Sequence, residues 1–361
     1  MKKKVMLGMS GGVDSSVAAY LLKEQGYEVY GVTMQIWPDK DECEVIRNGG
    51  CCSLSAVEDA RRVANKLGIS YYVLNFKDIF EKRVIDYFAE EYLLGRTPNP
   101  CIACNKYVKF EAMLDKALSM GMDCVATGHY AKVEYDDDSG RYLLKRSKFD
   151  RKDQSYALYN LTQEQLSKIV MPLGDYPKEK IREIAREIGL AVADKPDSQE
   201  ICFVSDNDYA KFIEEKTGKV LPEGDFIDEK GNKIGRHKGI THYTIGQRKG
   251  LGMTFGKPMF VTNIDPKHNT VTLGENGKQY KKLITAKNPN FISVDNLYEP
   301  TYLMCKMRYS AKPERARVMQ VDENTVTAEF ENTRCAAAPG QAIVFYDDDI
   351  VVGGATIEKA R

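Results

Sequence analysis

Nine residues near the start of the chain, Gly8-Met9-Ser10-Gly11-Gly12-Val13-Asp14-Ser15-Ser16, constrain the fold more than any other stretch. The apolar run Val5-Met6-Leu7 leads straight into them and reads as a short buried strand. Beyond them Val17-Ala18-Ala19-Tyr20-Leu21-Leu22 carries helical periodicity up to a break at Gly26. Strand, glycine-rich turn and helix N-terminus in that order make an anion site. Backbone N–H groups and the positive end of the helix dipole point at one spot. Gly11 and Gly12 let the backbone approach a phosphate closely. Ser10, Ser15 and Ser16 offer hydroxyl donors, and Asp14 is a candidate magnesium ligand. A Walker-type P-loop needs a Lys before its last Ser or Thr. Asp14 takes that place here, so the loop belongs to another class.

The stretch resembles the SGGxDS pyrophosphate loop of the ATP pyrophosphatase superfamily. Such enzymes split ATP between its α and β phosphates and leave AMP on a substrate oxygen. The resemblance implies ATP contacts at Gly8, Met9, Ser10, Gly11, Gly12, Val13, Asp14 and Ser15. Without a ligand, the same stretch is simply a glycine-rich βα turn.

The first half of the chain alternates strand and helix. Strands are expected at Glu28–Met34, Ile69–Phe76 and Asp123–Thr127, with helices ending near Leu67, spanning Ile79–Leu94 and ending near Met120. This alternation predicts an α/β fold with a parallel sheet covered on both faces. Ligands in such sheets sit at the carboxyl ends of strands, where Ser10, Met34 and Gly128 all fall. A hairpin is expected over 131–147, then helices at Thr162–Val170 and Pro177–Ile188 and a polar loop at Asp194–Ser198. From about residue 205 helix gives way to short, glycine-punctuated segments. The last eighty or so residues alternate apolar and polar, as a small antiparallel β-barrel would. The 361 residues therefore divide as 1–204, a catalytic domain, 205–280, a small central domain, and 281–361, a C-terminal barrel.

No apolar run approaches the ~20 residues of a membrane span, and the basic start Met1-Lys2-Lys3-Lys4 lacks a signal-length apolar stretch. A cytoplasmic protein without a membrane partner is expected. Formal net charge is zero, so any nucleic-acid contact must come from local patches. Nine cysteines in a reducing compartment point to metal, redox or catalytic use. Cys101-x-x-Cys104 lies in a loop before a helix, a position that favours a thiolate. Cys202 is the second candidate. Structural zinc wants four ligands, and no second CxxC exists; Cys51-Cys52 is adjacent and Cys43 stands apart.

Three further stretches are Gly95 to Lys106, Asp197-Ser198-Gln199-Glu200-Ile201-Cys202-Phe203, and Tyr243-Thr244-Ile245-Gly246-Gln247-Arg248-Lys249-Gly250-Leu251-Gly252. With the opening loop they resemble the tRNA-specific 2-thiouridylase family, in order and over most of the chain. The resemblance implies an adenine-nucleotide α-hydrolase-like domain, a central domain and a barrel. It implies thiolation of C2 of uridine 34 in tRNAs for Lys, Glu and Gln. ATP with Mg2+ would adenylate the C2 oxygen before sulfur displaces AMP. Cys202 would carry a persulfide and Cys104 would act as nucleophile, forming a transient disulfide with it. The sulfur would come from a cysteine desulfurase, a relay protein or inorganic sulfide.

One departure bears on that mechanism. Many members have Asn-Pro-Asp where this chain has Asn99-Pro100-Cys101. Three cysteines, Cys101, Cys104 and Cys202, can hold three irons of a [4Fe–4S] cluster and leave the fourth open to hydrosulfide. Persulfide relay and cluster-held sulfide both stand on the sequence, and Cys101 is otherwise a small apolar residue. The resemblance also implies target-base contacts at Asn99, Pro100 and Cys101. It implies tRNA contacts at Lys152, Asp153 and Gln154, after a basic run ending at Arg151, and at Arg308 and Tyr309. Cations would hold phosphates and Tyr309 would stack on an unpaired base. His129, His237, His242 and His268 form no metal-ligand pattern, and Trp37 reads as packing. Two other classes compete. A GMP- or NAD-synthetase-type ligase explains the loop alone, and an RNA-binding Fe–S or thiol sensor explains the cysteines alone.

Overall fold

The structure is a computed structural model that describes residues 2–36, 54–149, 152–196, 201–204 and 208–361. Trp37, Cys43, Cys51, Cys52, Arg151 and the stretch Asp197–Glu200 lie outside the described residues. The chain forms two compact units. One comprises Met1–Val84, Cys101–Ser205 and Asp349–Val351; the other comprises Ile85–Pro100, Asp206–Asp348 and Val352–Arg361.

The first unit contains strands β1 (Lys4–Gly8), β2 (Glu28–Gln35), β3 (Ser70–Asn75), β4 (Cys124–Ala126), β5 (Ala131–Asp136), β6 (Arg141–Arg146) and β7 (Ile169–Val170). Five of them make a sheet in the order β3-β2-β1-β4-β7, and every pairing in it is parallel. Val5, Met6 and Leu7 of central β1 are fully buried, as expected of a strand covered on both faces. Three helices, α1 (Val13–Glu24), α2 (Leu54–Leu67) and α3 (Lys178–Glu187), supply Val17, Leu22, Val63, Ile181 and Ile184 to the core beside β1. Antiparallel β5 and β6 form the expected hairpin.

The expected helix Thr162–Val170 is corrected. Helix covers only Gln163–Leu166, capped by Thr162 in a capping box with Gln165. The β-branched pair Ile169-Val170 pairs with β4 as the sheet edge instead. The helix leading to Ser119 begins at Pro100 and passes through a π-helical stretch, Cys104–Ala112, a wide turn frequent at functional sites.

In the second unit, helix α4 (Tyr209–Thr217) occupies a region expected to lack helix. Its signals were local: the Asp208 side chain accepts from the Lys211 N–H, and Gly218 ends it at φ 67°. Strands β8 (Gly224–Ile227), β9 (Lys233–His237), β10 (Phe260–Asp265) and β11 (Thr270–Gly274) form a small sheet packed on Phe226, Val261, Val271 and Leu273. Strands β12 (Leu283–Phe291), β13 (Thr301–Lys306), β14 (Glu314–Asp322), β15 (Thr325–Phe330), β16 (Ala342–Asp347) and β17 (Ile350–Ala360) follow in the order β12-β15-β14-β13-β16-β17. Pairing of β12 with β17 closes them into an antiparallel barrel. Val318, Phe330, Ile343, Phe345 and Ile357 fill it. No helix among the described residues is long and apolar enough to cross a membrane.

Phe345 is fully buried, so Phe345→Ala should destabilise the barrel by about 3–5 kcal/mol. Hydrogen exchange should quicken across β12–β17 and stay unchanged in β1–β4.

Candidate active site

The glycine-rich turn connects β1 to α1 at the carboxyl end of the parallel sheet. Gly11 takes φ +66°, and a Cβ there would lie 2.3 Å from the Ala56 carbonyl oxygen, so α2 leaves room for hydrogen alone. Gly12 is the extended N-cap of α1 and has space for a Cβ. Gly128 is a second close approach. Its Cβ would meet the Ser15 nitrogen at 2.8 Å, so the end of β4 lies directly against the first turn of α1. Met9 is buried and anchors the turn: its N–H donates to the Val32 carbonyl, and its carbonyl accepts from Thr33 Oγ1 at 2.8 Å.

The serines are partly committed to the turn itself. Ser16 is fully buried and donates to the Gly12 carbonyl at 2.8 Å, which makes it a helix fastener. Ser15 Oγ accepts from the Ser10 N–H at 3.1 Å. Gly8, Ser10, Gly12 and Asp14 are half-buried, Val13 is buried, and Met34 is half-buried at the end of β2.

Asp14 carries the main electrostatic contact. Lys178 Nζ donates to its two oxygens at 2.7 and 2.8 Å, and the Tyr130 hydroxyl donates to Oδ1 at 2.6 Å. An ammonium bridging both oxygens leaves Asp14 poorly arranged as a magnesium ligand, and no step is assigned to a metal there. Gln154 in turn fixes Tyr130, accepting from its N–H through Oε1 at 3.0 Å and donating its own N–H to the Tyr130 carbonyl. Lys195 Nζ reaches back to the Gly11 carbonyl at 3.1 Å and to Asp59 at 2.8 Å.

Lys178, Tyr130, Lys195 and Asp59 were missed in the sequence. Lys178 did leave a signal, because a cation in the first turn of a helix opposes the helix dipole and needs a counter-charge. The others are joined to the turn only by long-range contacts.

Burial sorts the cysteines. It pushes the Cys124 thiol up to about 11, raises Cys305 further, and raises Cys335, so these stay protonated and unreactive at neutral pH. Cys101 is exposed, and Cys104 and Cys202 are half-buried. Phe203, next to Cys202, packs edge-on against Phe80 with ring centroids 5.9 Å apart. The turn Lys77–Phe80 packs in turn on the helix Cys104–Ala112. Both cysteine-bearing segments thus pack on the turn Lys77–Phe80. Among the described residues, however, no three or more His, Cys, Asp or Glu side chains form a set that could hold a metal ion. No step is assigned to a [4Fe–4S] group at Cys101, Cys104 and Cys202.

The remaining candidates divide. Asp153 is buried and accepts from the Ser147 and Ser155 N–H groups, which makes it an internal clamp. Lys152 is half-buried. Asn99 and Pro100 fall in the second unit, after a loop pinned by Thr97 N–H to the Pro339 carbonyl at 2.7 Å. Arg308 donates to the Ile245 carbonyl at 2.7 Å, and Tyr309 is 46% exposed near Lys306.

Two outcomes follow. Gly11→Ala should destabilise the fold by about 1–3 kcal/mol, against less than about 0.5 for Gly12→Ala, both read by urea unfolding. His129 is buried against Thr127, and desolvation, aided by Lys109, holds its pKa well below the usual range. The unfolded chain therefore binds a proton that the folded one refuses. Stability is complete above pH ~6.5 and falls below it, by up to about 1.4 kcal/mol per pH unit. His129→Gln should flatten that slope.

Three family models match the chain: a tRNA methyl transferase HUP domain over residues 3–206, a tRNA methyl transferase PRC-barrel domain over 210–275, and an aminomethyltransferase beta-barrel domain over 281–357. The tRNA-specific 2-thiouridylase MnmA of Clostridioides difficile is 61% identical over 360 residues, covering 100% of this chain and 99% of that one. Its namesake in Acetivibrio thermocellus is 63% identical over 357 residues, covering 99% of each. A solved 4-thiouridine synthetase–RNA complex with bound ATP shares 18% identity over 60% of this chain and 50% of that one, with a TM-score of 0.38, too low a likeness to bear on function. At this identity over full length, the chain is an enzyme belonging to the tRNA-specific 2-thiouridylase family.

Proposed function

We propose that the enzyme replaces the C2 oxygen of the wobble uridine with sulfur in tRNAs for Lys, Glu and Gln, using ATP as its magnesium complex. The C2 carbonyl is urea-like and its oxygen leaves poorly. Adenylation solves this: O2 bonds to the α phosphorus, pyrophosphate departs, and the N3 proton goes to water. The terminal sulfur of a Cys202 persulfide then attacks C2, and AMP leaves with the former O2. The Cys104 thiolate attacks the inner sulfur of Cys202. The S–S bond breaks, its electron pair stays with the sulfur on C2, N3 is reprotonated, and a Cys104–Cys202 disulfide remains. A thiol reductant opens the disulfide and a cysteine desulfurase or a relay protein transfers persulfide-level sulfur to Cys202; where sulfide is the donor, hydrosulfide attacks the Cys202 sulfur of the disulfide itself, which forms the persulfide and releases the Cys104 thiolate.

The observation that carries this reading is the bond from Lys195 Nζ to the Gly11 carbonyl. Lys195 stands seven residues before Cys202, so the sulfur-bearing segment is tethered to the anion-binding turn. A small-molecule ligase would have no use for that tether, and a thiol sensor would have no use for the turn. Methyl transfer, named in the domain descriptions, would leave both idle. The exposed Tyr309 and the half-buried Arg308 are candidate tRNA contacts, as are Lys152, Asn99 and Pro100. A uridine modified at C2 must leave the anticodon stack to be reached.

The test is incubation with ATP, a sulfur source and unmodified tRNA, followed by nucleoside analysis; absence of 2-thiouridine would refute the proposal. Asp14→Asn should slow pyrophosphate release at least about tenfold while leaving persulfide loading intact. Cys202→Ala and Cys104→Ala should abolish thiolation but not adenylation, and Cys101→Ala should keep both. Loss of activity in Cys101→Ala together with about four irons per anaerobically purified chain would favour cluster-held sulfide instead.

A further inference from the structure

We propose that Lys178 receives the pyrophosphate leaving group, an inference that rests on the adenylation reading above. The residue is only 8% exposed, yet its ammonium lies at the opening turn of α3 and bridges both oxygens of Asp14. Neither burial nor the dipole of α3 favours a cation there. Asp14 supplies the compensating charge from the first turn of α1, and the Tyr130 hydroxyl steadies it. The positive pole of α1 and the Lys178 ammonium thus meet at one carboxylate, directly beside the turn whose Gly12 leaves space at its Cα. In this arrangement Asp14 holds the place of an incoming phosphate.

When O2 of the uracil bonds to the α phosphorus, the bond from phosphorus to the α–β bridging oxygen breaks. Its electron pair stays on the pyrophosphate, and negative charge grows at that oxygen and the β phosphate. Lys178 exchanges its carboxylate partner for those oxygens. Asp14, with its side chain 32% exposed, keeps Tyr130 and turns toward water. The ammonium needs no new desolvation at the moment of reaction, because it is buried already.

The test uses the full chain in wild-type form and as Lys178→Met, Lys178→Arg and Asp14→Asn. Binding of inorganic pyrophosphate and of AMP is measured separately by calorimetry, and pyrophosphate release from ATP is measured with unmodified tRNA and no sulfur donor. Lys178→Met should weaken pyrophosphate binding at least about tenfold, leave AMP binding within about twofold, and lower kcat for release about 100-fold with a smaller change in KM. Lys178→Arg should recover much of the loss. Unchanged pyrophosphate binding in Lys178→Met, or equal weakening of both ligands, would overturn the proposal and reduce Lys178 to an anchor for Asp14. If Lys178→Met does not fold, Asp14→Asn decides: releasing Lys178 should preserve or tighten pyrophosphate binding, and weakening would count against it. A wild-type chain that binds pyrophosphate through Lys178 but releases none from ATP would refute the adenylation reading and leave the Lys178 assignment standing.

Discussion

The contact on which the catalytic unit depends is a single carboxylate held between an ammonium and a phenol. Asp14 sits where the dipole of α1 welcomes negative charge, and Lys178 sits where the dipole of α3 repels positive charge. Removing one member of a buried pair typically costs about 3–5 kcal/mol, because the other is left uncompensated. Here solvent at the partly exposed Asp14 reduces that figure. The pair therefore does more than bind two helices. It keeps a cation dry and ready in a place that only an anion can occupy with it.

The helix that carries Lys178 also reaches the sulfur side. One turn later, Arg182 donates to the Ala193 carbonyl at 2.7 Å and to the Lys195 carbonyl at 3.0 Å. Lys195 then returns to the Gly11 carbonyl. Turn, helix and the approach to Cys202 form a closed ring of polar contacts, so a displacement at any member is felt by the others. A reaction in which one site activates an oxygen and another delivers the sulfur needs the two at fixed separation, since small misplacements cost large factors in rate. The coupling through α3 carries the turn's position as far as Lys195.

Much of this was legible in the sequence, and the part that was not shares one cause. The turn at residues 8–16, the parallel strands and the closing barrel announce themselves locally, through periodicity and glycine. Tyr130 and Lys178 meet Asp14 across 116 and 164 residues, and no local pattern records such a meeting. The misread helix over Thr162–Val170 fails for a similar reason. Its amphipathic start is real, but Ile169 and Val170 complete a sheet edge beside a strand forty-four residues earlier. Helix α4 is a different case, because Asp208 and Gly218 were adequate end signals and the surrounding glycines obscured them.

Asp153 shows why a motif and a contact surface are different things. In the sequence it stands within a polar triplet beside a basic run, and a polar residue there reads as a ligand for RNA. In the fold its carboxylate is 97% covered in effect, being only 3% exposed, and its oxygens are taken by Ser147, Ser155 and the nearby Arg146. A buried carboxylate satisfied in this way cannot turn outward without leaving those donors behind, at about 1–3 kcal/mol for each unsatisfied group. Its neighbour Gln154 fixes Tyr130, which fixes Asp14. The triplet therefore acts on the reaction from beneath, by setting the position of the carboxylate at the head of α1. Of its three members Lys152 alone carries a charge that would attract an RNA phosphate, and it stays the member proposed for that contact.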